Sequence, residues 1–453
     1  MPDLDTAYMK MALKLAARGA GWVSPNPMVG AVVVQGDRVV GQGYHRRVGA
    51  PHAEVEALRK AGDAARGADL YVTLEPCNHH GRTPPCTEAI LAAGVRRVII
   101  ASPDPNPQVT GGGAAFLASR EVEVEVGLLE TQARRLNEAW YKWVATGLPF
   151  VIAKAACSLD GKIATSTGES QWLTGEASRT YGHRLRHQVD AILVGVGTVV
   201  ADDPQLTTRL GEKRKNFERG GQGPVAQAFQ PVEAPAPSLK LSPPTPYVGG
   251  TGFQPVQGEG EPAINVEQPP PAVLSGEYRE NLQSSEVTEN RKPKTENRLS
   301  KDPIRIVLDS RLRLPLTAKL LHLDSPAPTW VACTDKAPKE KIEALKKLGA
   351  EVLVLPQESP ESGRVALKPL LELLGKRQVQ SLLVEGGAET LGAFFDQRLV
   401  DKFYFFYAPK FLGGIGASSV LGGHGVSHLK DAPQVRDLAI RRIGHDVLVS
   451  GYL

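Results

Sequence analysis

The chain alternates short apolar runs with helix-like patterns in two successive series, and this alternation limits it to the α/β class of folds. The first series ends at a Gly-Leu-Pro sequence that begins at residue 147, where glycine and proline mark a domain boundary. Because 453 residues exceed the usual size of one domain, we expect two α/β domains, residues 1–147 and 148–453.

The same patterns predict the individual elements. In the first series they indicate helices over residues 5–20, 52–61, 86–93 and 130–145 and strands at AVVV, VVGQGYH, LYVTLEP and RRVIIAS. In the second series they indicate helices over 176–187, 337–348, 365–375 and 388–396 and strands at FVIAKAAC, AILVGV, IRIVLDS, TWVACT, EVLVLP, SLLVEGG and FYFFYAP. We therefore expect a sheet between helices in the first domain and mixed or mostly parallel strand pairing in the second.

Residues 212–302 interrupt the second series. They contain 13 prolines and 9 glycines in 91 positions, about 24%, and almost no periodic apolar pattern. Such a composition buries too little apolar surface to offset the entropy lost on ordering, so we expect a disordered insertion tolerated at the surface. A partner-binding arm is the alternative. The segment has 11 basic and 12 acidic residues, a balance that disfavours a nucleic-acid tail.

Composition narrows the class of function. A formal net charge of +4 is too small to indicate binding to nucleic acid or to an anionic membrane. The sequence has no apolar run long enough to span a membrane and no convincing signal peptide, so we expect a soluble, cytoplasmic protein. Four cysteines do not form a disulfide scaffold. Two of them, Cys157 and Cys333, lie in predicted strands, where we expect buried apolar side chains.

Potential metal ligands and a catalytic carboxylate are concentrated in the segments HAEVEAL and EPCNHHGRTPPC. His52 opens one predicted helix, Cys77 follows a predicted strand, and Cys86 opens the next helix. One imidazole and two thiolates suit zinc, and three protein ligands leave a fourth position for water, as a catalytic site requires. Glu54 follows His52 by two residues and could move protons between that water and a leaving amine, as in zinc deaminases.

Other interpretations of these segments stay open on the residues alone. Eight residues separate Cys77 from Cys86, where the common deaminase motif has two, so a structural zinc or no metal at all is conceivable. His79 and His80 are further potential ligands in the same loop. A structural site, however, normally closes with a fourth cysteine or histidine and has no use for a carboxylate at Glu54.

Together with SPNPMVGAVVV near the N-terminus, these segments closely resemble the deaminase half of the bifunctional deaminase/reductase family of riboflavin biosynthesis. In that family the eight-residue interval between the cysteines is the usual one. The resemblance implies a cytidine-deaminase-like α/β/α sandwich that binds zinc through His52, Cys77 and Cys86. It also implies that Glu54 is the proton shuttle.

The resemblance extends to two loops. It implies that Asn26, in the SPNP loop, contacts the pyrimidine, while a turn residue before Pro27 is the alternative. The DPNP segment at residues 104–107 either borders the pocket or forms a rigid turn.

The second half resembles the reductase half of the same family. The segments AKAACSLDGKIAT, GESQWLT, AILVGVGTVVADDPQLTTR, VLDS and VEGGAETLGAFF follow one another in the family's order. The resemblance covers nearly the whole chain outside 212–302. It implies a dihydrofolate-reductase-like α/β fold, NADPH as the cofactor and a homo-oligomer.

The residues of this half that the resemblance assigns fall into two groups. The cofactor contacts it implies are Ala156, Trp172, Thr198, Asp202, Ser310 and Gly387, with the turn of residues 387–393. The substrate contacts it implies are Ser170, Arg186, Leu206, Arg209 and Glu385. Lys154 and Asp160 either border the site or are structural.

Some of these positions have a chemistry of their own. Gly386 and Gly387 end a predicted strand and start a helix, an arrangement that cradles phosphate, although a plain turn fits equally well. Thr198, after the strand AILV, could bond a cofactor phosphate or amide; neither segment is a full dinucleotide-binding fingerprint. Trp172 either walls the nicotinamide or packs in the core. An arginine guanidinium matches a sugar phosphate, although an isolated arginine is usually a surface charge.

The combined expectation is a bifunctional enzyme acting on small pyrimidine ribosyl phosphates. One half would remove an amine from 2,5-diamino-6-(ribosylamino)-4(3H)-pyrimidinone 5′-phosphate with zinc. The other would reduce the ribosyl side chain of 5-amino-6-(5-phosphoribosylamino)uracil to ribityl with NADPH. A nucleic-acid-editing deaminase is the first rival, and the mild net charge disfavours it. A non-catalytic binding module is the second, and the presence of Glu54 argues against it.

Overall fold

The computed structural model describes residues 4–79, 84–106, 112–210 and 301–453. Within these residues the chain forms two sheets, each of which lies between helices. The expected disordered insertion at 212–302 lies outside the described residues, except for its last two positions. No helix in the described part is long and apolar enough to cross a membrane.

The first sheet has five strands in the order β2-β1-β3-β4-β5. Strand β1 is antiparallel to β2 and to β3, whereas β3, β4 and β5 are parallel. The strands are β1 (Gly30–Gln35), β2 (Arg38–Tyr44), β3 (Asp69–Val72), β4 (Arg97–Ile100) and β5 (Glu123–Val126). The helices are α1 (Leu4–Ala16), α2 (Ala53–Ala61), α3 (Cys86–Ala93), α4 (Gly113–Ala118), α5 (Glu130–Leu136) and α6 (Glu138–Thr146).

Apolar side chains on both faces of this sheet form two separate cores. Met9 and Ala12 of α1 pack with Val32 and Tyr71 on one face. The opposite face packs against α2, α3 and α4, and its buried members include Ala57, Leu58, Ile90, Val33 and Val98. Strands of a fully covered sheet are apolar on both sides, as the strand GAVVVQ is. The predicted α/β/α sandwich is therefore confirmed.

Glycines bring the helices unusually close to this sheet. A Cβ on Gly43 would lie 2.2 Å from the carbonyl oxygen of Ala53, and one on Gly41 would lie 2.2 Å from that of Ala57. Both carbonyls belong to α2, so β2 and α2 are in direct backbone contact. This contact fixes the height of the N-terminus of α2 above the sheet, and His52 lies at that N-terminus.

The second sheet has nine strands in the order β10-β9-β8-β7-β11-β6-β12-β14-β13. The strands from β10 to β12 are parallel to their neighbours, and β14 and β13 add an antiparallel hairpin at one edge. The strands are β6 (Phe150–Ser158), β7 (Ala191–Gly195), β8 (Ile304–Leu308), β9 (Thr329–Cys333), β10 (Glu351–Val354), β11 (Ser381–Val384), β12 (Lys402–Ala408), β13 (Arg436–Ile443) and β14 (Asp446–Tyr452). The helices are α7 (Glu176–Gln188), α8 (Val196–Asp202), α9 (Lys339–Lys347), α10 (Leu367–Lys376) and α11 (Ala388–Asp396).

This sheet is also covered on both faces. Leu370 and Leu374 of α10 and Phe394 of α11 are fully buried against one face. Leu185 of α7 and Leu345 of α9 are buried against the other. The mostly parallel pairing predicted for the second half is confirmed.

Helix α6 connects the two sheets through polar contacts. The indole nitrogen of Trp143 donates a hydrogen bond to the Gly375 carbonyl at 2.9 Å, and Lys142 pairs with Asp401 at 2.6 Å. A Cβ on Gly375 would lie 1.7 Å from the carbonyl oxygen of Gly147, so only glycine fits at this close approach. The two sheets therefore meet through contacts that tolerate little displacement.

Several element predictions need correction. The single helix predicted over 130–145 is wrong: the structure has α5 and α6, and the Asn137 between them has a φ of −107°. Its side-chain amide bonds both backbone groups of Met28 and thereby competes with a continuous helix. The elements that the sequence did not predict are the edge strand β5, the short helices α4 and α8, and the hairpin β13–β14.

The close contact between β2 and α2 makes a testable prediction about stability. Gly43→Ala should destabilise the protein by about 2 kcal/mol, because the added methyl overlaps the Ala53 carbonyl and the backbone must move. Thermal unfolding of both variants would measure this. Gly416→Ala is the control, since its Cβ would meet only Ser166 at an ordinary 3.5 Å. Equal melting temperatures of the two variants would contradict the packing argument.

Candidate functional site

Three separate segments of the first half place metal-binding atoms together. His52 is the N-cap of α2, Cys77 lies in the loop after β3, and Cys86 is the first residue of α3. The Nδ1 atom of His52 lies 3.2 Å from Sγ of Cys86 and 3.5 Å from Sγ of Cys77. The three donor atoms all lie within 4.8 Å of one another.

This geometry fits a zinc ion better than it fits hydrogen bonds alone. A ring nitrogen carries at most one hydrogen, yet the Nδ1 of His52 faces two sulfur atoms. A tetrahedral zinc about 2.1 Å from nitrogen and about 2.3 Å from sulfur would separate these donors by about 3.6 Å. The observed separations, 3.2 and 3.5 Å, are close to that value. The residues therefore fit the metal that the donor set indicates.

The surroundings of Cys77 favour its thiolate, whereas the hydrogen bond with Cys77 and burial raise the pKa of the Cys86 thiol. The backbone N–H of Cys86, at the N-terminus of α3, donates to Sγ of Cys77 at 3.4 Å. Hydrogen bonding with the Cys86 thiol and with His52 lowers the pKa of the Cys77 thiol. Because the thiolate is the form that binds metals, the site is electrostatically prepared for a cation.

Glu54 lies in the first turn of α2, beside these ligands, and is only 3% exposed. Burial raises the pKa of Glu54 to about 7, the charge of His52 opposes this rise, and that of Cys77 adds to it. A carboxyl group with a pKa near neutrality can both accept and release a proton at physiological pH. The arrangement thus supplies a proton carrier next to three metal ligands.

Asn26 is oriented by a histidine that the sequence analysis did not single out. The Nδ2 of Asn26 lies 3.0 Å from Nε2 of His45, and Nδ1 of His45 lies 3.2 Å from the Pro51 carbonyl. Burial lowers the pKa of His45, which favours the neutral ring. A neutral ring that donates from Nδ1 to Pro51 must accept at Nε2, so the Asn26 amide nitrogen is the donor and its Oδ1 faces elsewhere.

His45 is also part of the metal surroundings, since its ring meets that of His52 edge-to-face at 5.5 Å. The available signal was its place as the last residue of the predicted strand VVGQGYH, directly after the observed β2. Of the other potential ligands, His79 is exposed and is not a member of the donor group, and His80 lies outside the described residues.

Two further predictions concern the cysteines outside the metal group and the DPNP loop. Cys157 and Cys333 are fully buried in strands β6 and β9, which confirms them as core side chains. In the DPNP segment the backbone N–H of Asn106 donates to Oδ1 of Asp104 at 2.8 Å, so these residues form a tight turn. Position 107 lies outside the described residues.

In the second half, the residues assigned to cofactor and substrate lie mainly at the carboxyl ends of neighbouring parallel strands. Ala156 belongs to β6, Thr198 and Asp202 follow β7, Ser310 follows β8, and Glu385 and Gly387 follow β11. Strand β11 lies between β6 and β7 although it comes much later in the chain. Ligands of open parallel sheets bind at such a point, where the strand order changes direction.

A buried ion cluster lies at the centre of this edge. Arg186 of α7 binds Glu385 through Nε and Nη2, both at 2.9 Å, and Lys154 of β6 binds the same carboxylate at 3.2 Å. Although burial opposes it, the charges of Arg186 and Lys154 hold the pKa of Glu385 well below its usual range. Two cations on one carboxylate leave a net positive charge at this edge.

Arg209 adds a further cation near this cluster. Burial and the charge of Arg186 lower the pKa of the exposed Arg209, and Nη1 of Arg186 donates to the carbonyl of Thr207, two residues before Arg209, at 3.2 Å. Burial and both arginines lower the pKa of His183 to about 4, and its Nδ1 accepts the Arg209 backbone N–H at 3.3 Å. An anionic ligand would relieve the repulsion between the two arginines.

Two residues predicted to contact the cofactor, Thr198 and Gly387, are hydrogen-bonded to each other. The backbone N–H of Gly387, the N-cap of α11, donates to Oγ1 of Thr198 at 3.1 Å. A Cβ on Gly386 would lie 2.5 Å from Cβ of Thr390, so the turn before α11 admits only glycine there. A helix N-terminus favours an anion, which is the property that the predicted phosphate contact requires. The predicted strand, glycine pair and helix are therefore present as expected.

The remaining candidates lie around this edge. Ser170 donates to the carboxylate of Asp202 at 2.9 Å, and Ser310 accepts the Val365 N–H at 3.1 Å. Asp160 is structural in its contacts, since it accepts from the backbone of Leu412 and Gly413.

Trp172 and Leu206 differ sharply in exposure. Trp172 is 63% exposed, with the Arg179 guanidinium 4.9 Å from its ring, so the core-packing alternative for this residue is wrong. Leu206 is 2% exposed and packs within the core that covers α7 and β7. Its side chain therefore belongs to the core, and a ligand could meet only its backbone.

Comparison with known proteins supports a deaminase in the first half and a reductase in the second. Residues 2–102 match the model of the cytidine and deoxycytidylate deaminase zinc-binding region, and residues 149–449 match that of the RibD C-terminal domain. The chain is 37% identical over 443 residues to the riboflavin biosynthesis protein RibD of Escherichia coli, covering 98% of each sequence. It is 36% identical to RibD of Bacillus amyloliquefaciens, covering 98% of this chain and 95% of the relative.

Solved structures give the same result. RibD of Acinetobacter baumannii superimposes with a TM-score of 0.72 at 32% identity, covering 99% of this chain and 98% of that one. A diaminohydroxyphosphoribosylaminopyrimidine deaminase/5-amino-6-(5-phosphoribosylamino)uracil reductase from Thermotoga maritima superimposes with a TM-score of 0.70 at 29% identity, with the same coverage. The first half is thus deaminase-like and the second is a reductase fold of the dihydrofolate-reductase type. The chain belongs to the RibD family, the bifunctional deaminase/reductases of riboflavin biosynthesis.

Proposed function

We propose that the two reactions of this family are divided between residues 1–147, which deaminate, and residues 148–453, which reduce. The observation that carries the proposal is the convergence of one imidazole nitrogen and two sulfurs beside the buried Glu54. Zinc and NADPH are the cofactors that this division requires. The substrates are the pyrimidine ribosyl phosphates on which the family acts, first the diaminopyrimidinone and then the aminouracil.

In the first reaction His52, Cys77 and Cys86 hold zinc, and Glu54 moves the protons. When bound, zinc lowers the pKa of a coordinated water, so that a nucleophile is available near neutral pH. Glu54 takes a proton from the attacking water and gives it to the leaving amine, so that water is consumed and ammonia leaves. Asn26, oriented by His45, presents its Oδ1 and a free N–H to the edge of the pyrimidine.

In the second reaction the protein binds and orients two ligands. When bound, NADPH would supply a hydride to C1 of the ribose in its opened imine or aldehyde form, and a proton from solvent would complete the reduction. Arg186 and Arg209 bind the sugar phosphate, and the contacts of α7 with the backbone of Thr207 and Arg209 support this role. The remaining substrate contacts are Ser170, Glu385 and the backbone of Leu206. The cofactor lies against Ala156, Trp172, Thr198, Asp202, Ser310 and Gly387.

Further features of the proposal rest on the family resemblance. The enzyme acts in the cytoplasm as a homo-oligomer and binds small nucleotides in preference to nucleic acid. The mild net charge of +4 supports the last point.

Removal of the proton carrier should stop only the first reaction. Glu54→Gln is expected to slow ammonia release by about 10²- to 10⁴-fold, the usual contribution of a general acid–base group. NADPH oxidation on the deaminated substrate should be unchanged. Glu56→Gln, on the same helix but paired with Arg59, is the control and should keep both activities. Normal ammonia release by Glu54→Gln would reject this role.

Metal analysis should assign the ligands. The purified protein is expected to carry about one zinc per chain, and Cys77→Ala or Cys86→Ala should lose it together with ammonia release, since three ligands are the minimum set for a catalytic zinc. Cys333→Ala, in a strand of the other sheet, should retain zinc. Full zinc content in either of the first two variants would exclude that cysteine as a ligand.

The ion cluster should matter only for reduction. Glu385→Gln is expected to slow NADPH oxidation by about 10- to 100-fold, because a hydrogen bond to a charged group contributes about 1.5–3 kcal/mol. Ammonia release serves as the internal measure of folded protein. Glu372→Gln, exposed on α10 and away from the assigned cofactor and substrate contacts, is the matched control. A rate of NADPH oxidation within twofold of the wild type would exclude Glu385 from the reductase site.

A further inference from the structure

The loop that carries Asn26 is held from two sides. On one side Asn137 accepts the Met28 N–H at 2.8 Å and donates to the Met28 carbonyl at 2.9 Å. On the other side the Nε2 of Gln380 donates to the Pro25 carbonyl at 2.6 Å. Pro25 is the residue directly before Asn26, so this bond acts on the backbone next to the amide side chain.

Gln380 is a rigid donor because its own backbone is fixed. It precedes β11, is 4% exposed, and its N–H donates to Oδ2 of Asp190 at 2.9 Å. The same carboxylate also accepts from the backbone and hydroxyl of Ser381, both at 3.1 Å. The side chain of Gln380 therefore starts from a backbone position that three hydrogen bonds define.

A second contact reaches the start of the same loop from α7. The ring of Trp22 meets the ring of His187 edge-to-face at 5.4 Å. A Cβ on Gly21 would lie 2.3 Å from the carbonyl oxygen of His187, so the two backbones are in contact. The loop therefore contacts two elements of the second half, the C-terminal turn of α7 and the residue before β11.

We infer that Gln380, in the reductase half, is a positioning residue of the deaminase site, because it fixes the loop from which Asn26 reaches the pyrimidine. This inference rests on the proposed contact between Asn26 and the substrate. The bond to Pro25 removes one direction in which the loop could move, and His45 then orients the amide. The side chain of Gln380 bonds the Pro25 carbonyl and not a zinc ligand or Glu54, so its effect is on binding of the ring.

The test uses the full chain and compares Gln380→Met with Gln378→Met. Methionine keeps the length of glutamine but donates no hydrogen bond, whereas Gln378 is exposed and serves as the matched control. Ammonia release and NADPH oxidation are both measured, with zinc content. For Gln380→Met we expect the KM of deamination to rise about fivefold with kcat within twofold, as for loss of binding shared by substrate and transition state. NADPH oxidation and zinc content should equal those of the control.

The outcomes separate this inference from the proposed function. An unchanged KM in Gln380→Met would overturn the positioning role while both reactions of the wild type still stand. A parallel fall of ammonia release and NADPH oxidation would also overturn it, since that pattern indicates general destabilisation. If methionine does not yield folded protein, Gln380→Glu tests the same bond, because a carboxylate cannot donate to Pro25, and the same KM rise is expected. Wild-type protein without ammonia release would instead reject the proposed function.

Discussion

One imidazole nitrogen facing two cysteine sulfurs links three segments that are distant in the sequence. His52 comes from α2, Cys77 from the loop after β3 and Cys86 from α3, so their convergence requires both helices to lie at a fixed height on the sheet. The backbone contact of Gly43 with α2 sets that height on one side. A bulkier residue in β2 would therefore displace a donor atom rather than only a core methyl group. Packing and chemistry are coupled here through the backbone.

In the second sheet, the strand order brings the candidate site residues together. Its strand order inserts β11 between β6 and β7, so that residues far apart in the sequence end at one edge. Glu385 of this inserted segment meets Lys154 from β6 and Arg186 from α7. The cluster is too buried for either cation to be a simple surface charge. The topology, and not any local motif, assembles the reductase site, which explains why the sequence of this half has no dense catalytic pattern.

The sequence predicted elements with strong apolar periodicity and missed those without it. The buried strand GAVVVQ was evident as a continuous apolar run, which a sheet covered on both faces requires, and the leucine-rich α10 was evident from its helical spacing. Strand β13 has no buried position and carries three arginines, so its apolar pattern is weak. The break at Asn137 depends on a hydrogen bond to Met28, 109 residues away, which no local pattern encodes.

The sequence likewise predicted some residues of the candidate sites and missed others. His52, Cys77, Cys86 and Glu54 were recognisable because zinc chemistry demands those residue types near helix starts and strand ends. His45 was not, because a lone histidine at the end of a strand has no distinguishing neighbour in the sequence. Its role depends on Asn26 and Pro51, which approach it only in the folded chain.

The two halves share structural elements that contribute to both candidate sites. Helix α7 carries both Arg186, which faces the ion cluster, and His187, which supports the loop of the first half. Strand β11 likewise separates Gln380 at its start from Glu385 at its end by four residues of regular sheet. The contact with the loop of the first half and the ion cluster of the second therefore share one strand of the sheet. A family that performs consecutive steps on one substrate can maintain both sites with a single shared framework.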